Sequence, residues 1–397
     1  MTRKKLIQFG AGNIGRSFIA QVFSQAGFEV VFIDINEKII NELNNKGAYR
    51  VIIKKNREPD EEITVANVRA VNSRDKQRVI EEIAETELIA TSVGQGALKA
   101  VIPLIAEGIY TKYKGYPQNP VDIIIAENIR DGSSFFQELL SAELPEDFPL
   151  PEYIGLVETS IGKMVPIMKD QDKEKDPVWV FAEPYNTLIL DGKGFRNPVP
   201  PVPSLKAVEN IKAYVDRKLF IHNLGHASAA YFGFQNDPSQ IYIYQVLENS
   251  EVMKKTRNAM EEAAAALLKE YPEDFTEKDL EDHIEDLLTR FKNRSLGDTV
   301  FRVGRDLYRK LSKNDRLVGA MLLACRHNLP FPDIARALKA SFAFKAADEN
   351  GKLFPKDSSF INDELPKGTE HILQKVCGLS PKDPLENKVF RGILKTG

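Results

Sequence analysis

The sequence predicts an α/β domain with a parallel β-sheet, followed by a mostly α-helical domain. Over the first 200 residues, short apolar runs alternate with helical patterns, as in parallel sheets that are covered by helices on both faces. The segment 198–203, Pro-Val-Pro-Pro-Val-Pro, can be neither helix nor central strand, and helical periodicity dominates after it. We therefore predict one domain at residues 1–200 and a second at residues 201–397.

The first elements form a strand, turn, helix and strand. Residues 5–9 are predicted as a buried strand, 16–26 as a helix, and 28–33 as a second strand with Asp34 at its end. The turn before the helix is Gly10-Ala11-Gly12-Asn13-Ile14-Gly15. A Gly-x-Gly-x-x-Gly motif in this context, with an acid 19 residues past its last glycine, is the dinucleotide fingerprint of a Rossmann-type domain.

Each position of the glycine motif has a physical role in holding a nucleotide. Gly10 permits the tight turn, Gly12 lets the backbone approach a pyrophosphate at the helix N-terminus, and Gly15 allows close packing of helix on strand. Asp34 accepts hydrogen bonds from the adenosine ribose and repels a 2′-phosphate, which favours NAD over NADP. A glycine turn without a ligand, FAD and other nucleotides remain alternatives.

Further strands are predicted at 64–71, 87–93, 121–126, 153–158, 178–182 and 186–190. Two of them end in polar side chains, which at the carboxyl edge of a parallel sheet face the ligand crevice. Ser92 and Val93 are therefore candidates for the nicotinamide side, and Asn128 is a candidate substrate donor. Glu127 is a candidate for a gating or binding role. A purely structural cap is the alternative for each.

Helices are predicted at 204–231, 238–270, 277–291, 314–327, 331–343 and 367–377. The first of them carries Lys218, Asn223 and His226, which we regard as the candidate catalytic group. On an α-helix at roughly 100° per residue, Asn223 lies about 140° and His226 about 80° from Lys218. All three then share less than half of the helix circumference.

A lysine in this setting can act as a general base. Burial lowers the pKa of an ammonium group toward neutrality, while a neighbouring amide and imidazole can hold a carbonyl or alkoxide oxygen. The alternative is a solvated lysine beside an ordinary helix-face asparagine and a packed histidine.

Four cations lie within nine residues at 302–310. Arg302, Arg305, Arg309 and Lys310 are typical of a pocket for phosphate or carboxylate. A solvated basic helix end is the alternative.

Composition excludes several classes of function. A net charge of −3 gives no general attraction to nucleic acid or membrane surfaces. The two cysteines, Cys325 and Cys377, lack partners at metal-ligand spacing, so we expect no metal and a reducing cytoplasm. The N-terminus lacks the apolar stretch of a signal peptide, and no apolar run approaches the ~18 residues of a membrane span.

Several segments share the spacing of one group of dehydrogenases. They are the glycine motif followed by Arg16, Glu127-Asn128, Glu183-Pro184, Arg217-Lys218 with Asn223-x-Gly-His226, and Arg302 through Lys310. Together, over about residues 5–350, they resemble the polyol-specific long-chain dehydrogenases, the mannitol dehydrogenase family. The Lys-x4-Asn-x2-His signature is specific to this family when it follows a Rossmann-type domain.

The resemblance implies an NAD-dependent, metal-independent enzyme that interconverts D-mannitol 1-phosphate and D-fructose 6-phosphate. It implies that Lys218 is the general acid/base and that Asn223 and His226 hold the reacting oxygen. It also implies that the substrate is contacted by Asn128, Arg302 and Lys310, with Arg305 a further candidate for the phosphate. We expect a cytoplasmic monomer or small homo-oligomer.

One segment departs from the family pattern. Relatives typically have Val-Asp-Arg-Ile-Val-Pro where this chain has Ile161-Gly162-Lys163-Met164-Val165-Pro166, so an acid is missing and an arginine is replaced by lysine. Ser17 also replaces a helix glycine, a change that we expect to matter less. Because the missing acid can alter which polyol is preferred, an unphosphorylated polyol or a hexonate is the nearest alternative substrate. A nucleotide-binding regulatory protein without activity is the alternative from a different class.

Overall fold

A computed structural model of the chain describes residues 4–166, 168 and 170–396. Internal contacts divide the chain into two units, the first ending at Ile211 and the second beginning at Lys212. The predicted boundary at 200/201 lies earlier because the proline-rich segment is followed by one more strand of the first unit.

The strands of the first unit form two sheets. The larger has the order β11–β10–β8–β7–β6–β1–β2–β5, and the smaller has the order β4–β3–β9. Neighbours in the larger sheet are parallel except for β8 and β10. In chain order the strands are β1 (Lys5–Phe9), β2 (Glu29–Asp34), β3 (Ala48–Ile53), β4 (Glu61–Ala66), β5 (Val68–Asn72), β6 (Leu88–Thr91), β7 (Val121–Ile125), β8 (Ile154–Ser160), β9 (Val180–Ala182), β10 (Leu188–Asp191) and β11 (Leu205–Val208).

Both faces of the larger sheet are buried. Along β1, Leu6 packs into one apolar cluster and the next residue, Ile7, into another on the opposite face. The helices of the first unit alternate with its strands along the chain. They are a π-helical turn (Gly15–Ile19) that continues as α1 (Ala20–Gln25), then α2 (Glu37–Lys46), α3 (Lys76–Ala84), α4 (Gln95–Gly115), α5 (Gly132–Ser141), α6 (Leu150–Tyr153) and α7 (Asp170–Lys175). The prediction of a Rossmann-type α/β unit is confirmed.

Two predicted elements of this half were wrong. The single strand expected at 64–71 is two strands in different sheets, because Asn67 between them has a left-handed backbone with φ +57°. The helix expected from Ser204 begins at Ile211 instead, since Leu205–Val208 pairs in parallel with β10. Apolar periodicity over four residues does not separate a strand from a helix start.

The second unit is helical, as predicted. Its helix expected at 277–291 is Glu277–Phe291, whereas the one expected at 238–270 is divided before Ser250, where Asn249 caps a new helix. In chain order the helices are α8 (Ile211–Arg217), α9 (Leu224–Asn236), α10 (Ile243–Val246), α11 (Ser250–Glu270), α12 (Glu277–Phe291), α13 (Val300–Gly304), α14 (Leu307–Lys310), α15 (Arg316–Arg326), α16 (Pro332–Phe342), α17 (Pro355–Ser359), α18 (Thr369–Lys375) and α19 (Pro384–Lys395).

Candidate functional site

The glycine turn lies at the carboxyl edge of β1, where the sheet leaves room for a ligand. Gly10 has φ +90°, and a Cβ there would lie 2.7 Å from the carbonyl oxygen of Ser92. A Cβ on Gly15 would lie 2.1 Å from the Gly10 carbonyl oxygen, so the helix start approaches the strand end closely. Next to Gly12, in contrast, no described atom lies within 4 Å of the Cβ position. Gly12 and Asn13 are exposed and Ile14 is half-buried, which fits a cradle for a dinucleotide pyrophosphate.

Asp34 fastens the turn to the end of β2. One carboxylate oxygen accepts the Ala11 N–H at 2.7 Å, and the other accepts the N–H groups of Ile35 and Asn36 at 2.8 and 2.9 Å. An ionised carboxylate has about four acceptor sites, so these bonds leave capacity for a ribose hydroxyl. The predicted role of Asp34 toward the cofactor is compatible with this second, structural one.

Arg16 was missed as part of this site by sequence reasoning. Its buried guanidinium donates from Nε to the Ala11 carbonyl at 2.7 Å and from Nη1 to the carbonyls of Pro177 and Trp179, both at 3.3 Å. Burial lowers its pKa, although an arginine remains charged. Its position directly after Gly15 was the available signal. It ties the turn to the segment before β9.

The strand-end residues have distinct positions. Ser92 donates its N–H to the Phe9 carbonyl at 2.9 Å, and its hydroxyl oxygen accepts from Gln8 Nε2 at 2.9 Å. The buried Glu127 accepts the N–H groups of Val93 and Gly94 at 2.8 and 2.9 Å, one on each oxygen. Burial raises the pKa of this carboxyl. Glu127 thus caps the N-terminus of α4, which fits the structural alternative, whereas Asn128 is exposed.

The segment that departs from the family pattern is well packed. Lys163 is buried and donates from Nζ to Asn186 Oδ1 at 2.9 Å and to Gln21 Oε1 at 3.4 Å. A Cβ on Gly162 would meet the Tyr185 ring at 3.5 Å, an ordinary contact distance. The missing acid is therefore not forced by a backbone that excludes a side chain.

In the second unit, the helix with Lys218 contains a π-helical turn. Helix α8 runs into this turn at Lys218–Asn223 and continues as α9. A π-turn contains one residue more than an α-helical turn. The residue five positions after the start of the turn therefore takes the angular position that the residue four positions after it has in an α-helix. The angle between Lys218 and Asn223 then falls from about 140° to about 40°, and His226 lies about 20° to the other side. The turn thus brings the three side chains onto a narrower face than an ideal α-helix gives.

Lys218 lies in a half-buried position beside a second cation. Burial, and then the positive charge of Arg316, lower the pKa of Lys218 to about 8. Arg316 is held by Asp315, which accepts from Nε at 2.7 Å, and its Nη1 donates to the Asn223 carbonyl at 3.3 Å. Sequence reasoning missed Arg316, since it is about a hundred residues away along the chain and on a different helix.

A cavity of about 390 Å³ brings His226 together with the predicted cations. It is lined by His226, Arg302, Val303, Arg305, Asp306, Arg309, Lys310, Arg316 and Phe354. Five cationic side chains and one carboxylate face this space, which therefore favours an anion. Arg309 is already paired with Asp306 at 2.6 Å, whereas the Arg305 guanidinium lies over the rings of Phe301 and Phe354 at 5.3 and 5.4 Å.

Buried polar side chains hold the backbone of the turn between α13 and α14. Lys310 is 4% exposed, and two of its three N–H groups go to the carbonyls of Val303 and Arg305. Burial lowers its pKa well below the usual value. Asp357, a buried carboxylate missed by sequence reasoning, accepts the N–H groups of Asp306 and Leu307 at 2.9 and 2.7 Å. Lys310 therefore shapes the cavity wall, and its predicted contact with substrate stays a prediction.

His226 is oriented by two neighbours. Its ring stacks on Phe291, with centroids 4.5 Å apart and planes 6° apart. Its Nε2 lies 3.4 Å from Oδ2 of the buried Asp298, whose other oxygen pairs with Arg302. Sequence reasoning did not select Asp298, although its position four residues before Arg302 is a common ion-pair spacing in helices.

The described residues also bear on metal binding and on membrane insertion. Among residues 4–166, 168 and 170–396, no group of three or more His, Cys, Asp or Glu side chains is arranged to hold a metal ion. Within the same ranges, every helix is too short or too polar to cross a membrane.

Comparison with known proteins places the chain in a family. The mannitol dehydrogenase Rossmann domain matches residues 4–204, and the mannitol dehydrogenase C-terminal domain matches residues 210–376. Proteins named mannitol-1-phosphate 5-dehydrogenase from Buchnera aphidicola (subsp. Acyrthosiphon pisum, strain APS) and Bacillus pumilus (strain SAFR-032) are 33% and 34% identical over 98% of this chain, and over 97% and 99% of their own lengths.

A solved structure shares the fold at lower sequence identity. The mannitol 2-dehydrogenase of Pseudomonas fluorescens, solved as a ternary complex with NAD and D-mannitol, superposes with a TM-score of 0.71 at 15% identity, covering 100% of this chain and 94% of that one. The match extends through the Rossmann-type unit and the helical unit alike. The chain belongs to the mannitol dehydrogenase family.

Proposed function

We propose that this protein is an NAD-dependent dehydrogenase that interconverts D-mannitol 1-phosphate and D-fructose 6-phosphate. The observation that carries the proposal is the cavity in which His226 faces five cationic side chains. Relatives named for this reaction match almost the full chain at 33% and 34% identity. The anionic end of a sugar phosphate and its reacting carbon would then be recognised by neighbouring parts of one helical unit.

The cations have different roles in this proposal. Arg302 and Arg305 present guanidinium groups, whose paired N–H donors match phosphate oxygens. Lys310 holds the backbone carbonyls of Val303 and Arg305, and its remaining N–H is directed to the substrate. Asn128 is the proposed contact from the first unit, with Glu127 acting through the turn that it caps.

Lys218 is the proposed general acid/base. With a pKa of about 8, an appreciable fraction of the side chain is the neutral amine near neutral pH, and this amine takes the proton of the substrate hydroxyl. Asn223 and His226 hold the same oxygen as negative charge develops on it. Donors of this kind contribute roughly 3–4 kcal/mol each in enzymes where they have been removed.

NAD is the proposed cofactor, and when bound it supplies the hydride acceptor. The open surface at Gly12 and the carboxylate of Asp34 support this choice, because a 2′-phosphate beside Asp34 would be repelled. Ser92 and Val93 lie one strand over from the turn and are proposed to line the nicotinamide side. We further propose a cytoplasmic location and a monomer or small homo-oligomer.

An unphosphorylated polyol or a hexonate is the second candidate substrate class. The observation that favours it is Gly162, where the family acid is absent although the backbone leaves room for a side chain. Arginine recognises a carboxylate as well as a phosphate, so the cavity is compatible with a hexonate.

A substrate panel tests the proposal. NADH formation is measured with mannitol 1-phosphate, sorbitol 6-phosphate, mannitol and altronate under identical conditions. We expect kcat/KM to be highest for mannitol 1-phosphate, and to exceed the value for uncharged mannitol by at least about tenfold, because a lost ionic contact of about 1.4 kcal/mol gives that factor. A higher value for mannitol or altronate would assign the second class, and NADH formation from none of the four would overturn dehydrogenase activity on these polyols.

A further inference from the structure

We propose that Asp298 is a positioning residue that holds His226 and Arg302 in one arrangement. It would thereby connect the side chain that contacts the reacting oxygen with the side chain that contacts the anionic end of the substrate. The inference rests on the proposed function for the identity of the substrate, but the contacts that carry it are within the helical unit.

The backbone of Asp298 is fixed on both sides. It follows Gly297, which has φ +65° and ends a short 3-10 turn. Its carbonyl accepts the N–H of Ile243 at 2.9 Å, and the N–H of Val300 donates to the Ile241 carbonyl at 2.8 Å. The next residue, Thr299, caps α13 by accepting the Arg302 N–H at 3.1 Å. The backbone that carries the carboxylate is therefore held by the turn before it, the helix after it and the separate segment 241–243.

The two oxygens of this carboxylate serve different partners. Oδ1 pairs with Nη1 of Arg302, one helical turn onward. Oδ2 lies 3.4 Å from Nε2 of His226, and within the described residues this nitrogen makes no hydrogen bond of good geometry. Asp298 is 7% exposed. Burial raises its pKa, but His226 and Arg302 outweigh that effect and the net shift is downward, which keeps the group ionised at neutral pH.

The arrangement restricts both partners. Stacking on Phe291 fixes the plane of the His226 ring. Within that plane, the Asp298 carboxylate holds the Nε2 edge of the ring toward itself. Arg302 is otherwise a long side chain, 40% exposed, at the wall of the cavity. Holding it to Asp298 limits the rotamers from which it meets an anion, and ordering of this kind before binding increases affinity.

Asp298→Asn keeps the volume and removes the charge. We expect kcat for mannitol 1-phosphate to fall about tenfold or more and KM to rise about fivefold or more, with the KM for NAD unchanged. Glu262→Gln is the matched control, since Glu262 is a half-buried carboxylate of the same unit that caps α16 through the N–H groups of Asp333 and Ile334 at 2.9–3.0 Å. It is expected to lower the melting temperature and leave kcat and KM within twofold. Equal kinetics for Asp298→Asn and the wild type would overturn the proposal.

Combined variants separate positioning from a general structural effect. In an Arg302→Ala background, Asp298→Asn should raise KM less than twofold further, and in a His226→Ala background it should lower kcat less than twofold further, because each partner has already been removed. Fully multiplicative effects in both backgrounds would contradict the proposal. If Asp298→Asn does not fold, His226→Ala and Arg302→Ala provide the test, since a shared carboxylate predicts non-multiplicative effects on kcat/KM and independent roles predict multiplicative ones.

A wrong assignment of the substrate can be distinguished from a wrong role for Asp298. If another member of the panel proves the best substrate, the function is reassigned, and the same variants are compared on that substrate. The proposal then still stands or falls on whether the effects of the three residues are coupled.

Discussion

Burying an ammonium group costs free energy, and Lys218 is half-buried close to the positive charge of Arg316. Both effects favour the neutral amine. The free energy for this arrangement comes from the surrounding fold, as in active sites where perturbed pKa values are concentrated. Arg316 lies in the cavity wall and also donates to the Asn223 carbonyl, so a single side chain affects the position of one candidate catalytic residue and the ionisation of another.

At the residue scale, the pH dependence of turnover tests the role of Lys218. Polyol oxidation needs the neutral amine, so its rate should rise with pH and level off above about 8, whereas ketose reduction needs the ammonium form and should decline there. Arg316→Gln removes a positive charge, which should move the apparent pKa of the oxidation profile upward.

Lys218→Ala should lower kcat at least a thousandfold and leave NADH binding, measured by fluorescence titration, nearly unchanged. Unaltered turnover in that variant would remove Lys218 from the mechanism.

Among the elements, helix N-termini are repeatedly capped by carboxylates that are distant in sequence. Glu127 caps α4, Glu262 caps α16 and Asp357 caps α14. Each satisfies backbone N–H groups that a helix start leaves without intrahelical partners, and each binds its helix to another part of its own unit. The caps at α4 and α14 also fix the loops that carry Val93 and Arg305.

Asp357→Asn tests the importance of one such cap. The amide keeps a single acceptor oxygen for two N–H donors and directs its own donor at the other, so the free energy of unfolding should fall by roughly 1–3 kcal/mol. Because the cap holds the turn between α13 and α14, KM for the anionic substrate should rise severalfold while the KM for NAD stays constant. Urea titration and initial rates measure the two effects. A loss of stability without a change in KM would show that the cap does not influence the cavity.

At the scale of the whole molecule, the two units divide the chemistry. The Rossmann-type unit presents the glycine turn and the strand ends, whereas the helical unit presents the candidate acid/base and the cationic cavity. The residues of the glycine turn all belong to the first unit, and the residues that line the cationic cavity all belong to the second. Cofactor binding and anion binding should therefore be separable by mutation.

Thermal unfolding in the presence of nucleotides tests the cofactor assignment. At a concentration near one hundred times its Kd, a ligand of the native state stabilises it by about 2.7 kcal/mol, which corresponds to a rise of several degrees in the Tm of a unit of this size. We expect this rise with NAD and a much smaller one with NADP at the same concentration, because Asp34 disfavours a 2′-phosphate. Equal shifts with both nucleotides would contradict the discrimination assigned to Asp34.

Features that depend on a short stretch of chain could be predicted from the amino-acid sequence. The strand–glycine turn–helix unit, the acid at the end of β2, the helical character of the second half and the cation-rich segment at 302–310 are all encoded within windows of a few dozen residues. In such windows the period of burial and the turn-forming residues act directly on the backbone. The family signature around Lys218 belongs to the same class.

Tertiary structure alone decided which distant residues meet. Arg316, Asp298 and Asp357 are supplied to the site by separate segments, and apart from the spacing of Asp298 and Arg302 their sequence neighbours carry no signal of the partners that lie on other segments. The strand at Leu205–Val208 likewise depends on its pairing with β10 rather than on local propensity. The physical reason is that a buried charge or an uncapped helix end must find its partner in space, and the path of the chain determines which residue that is.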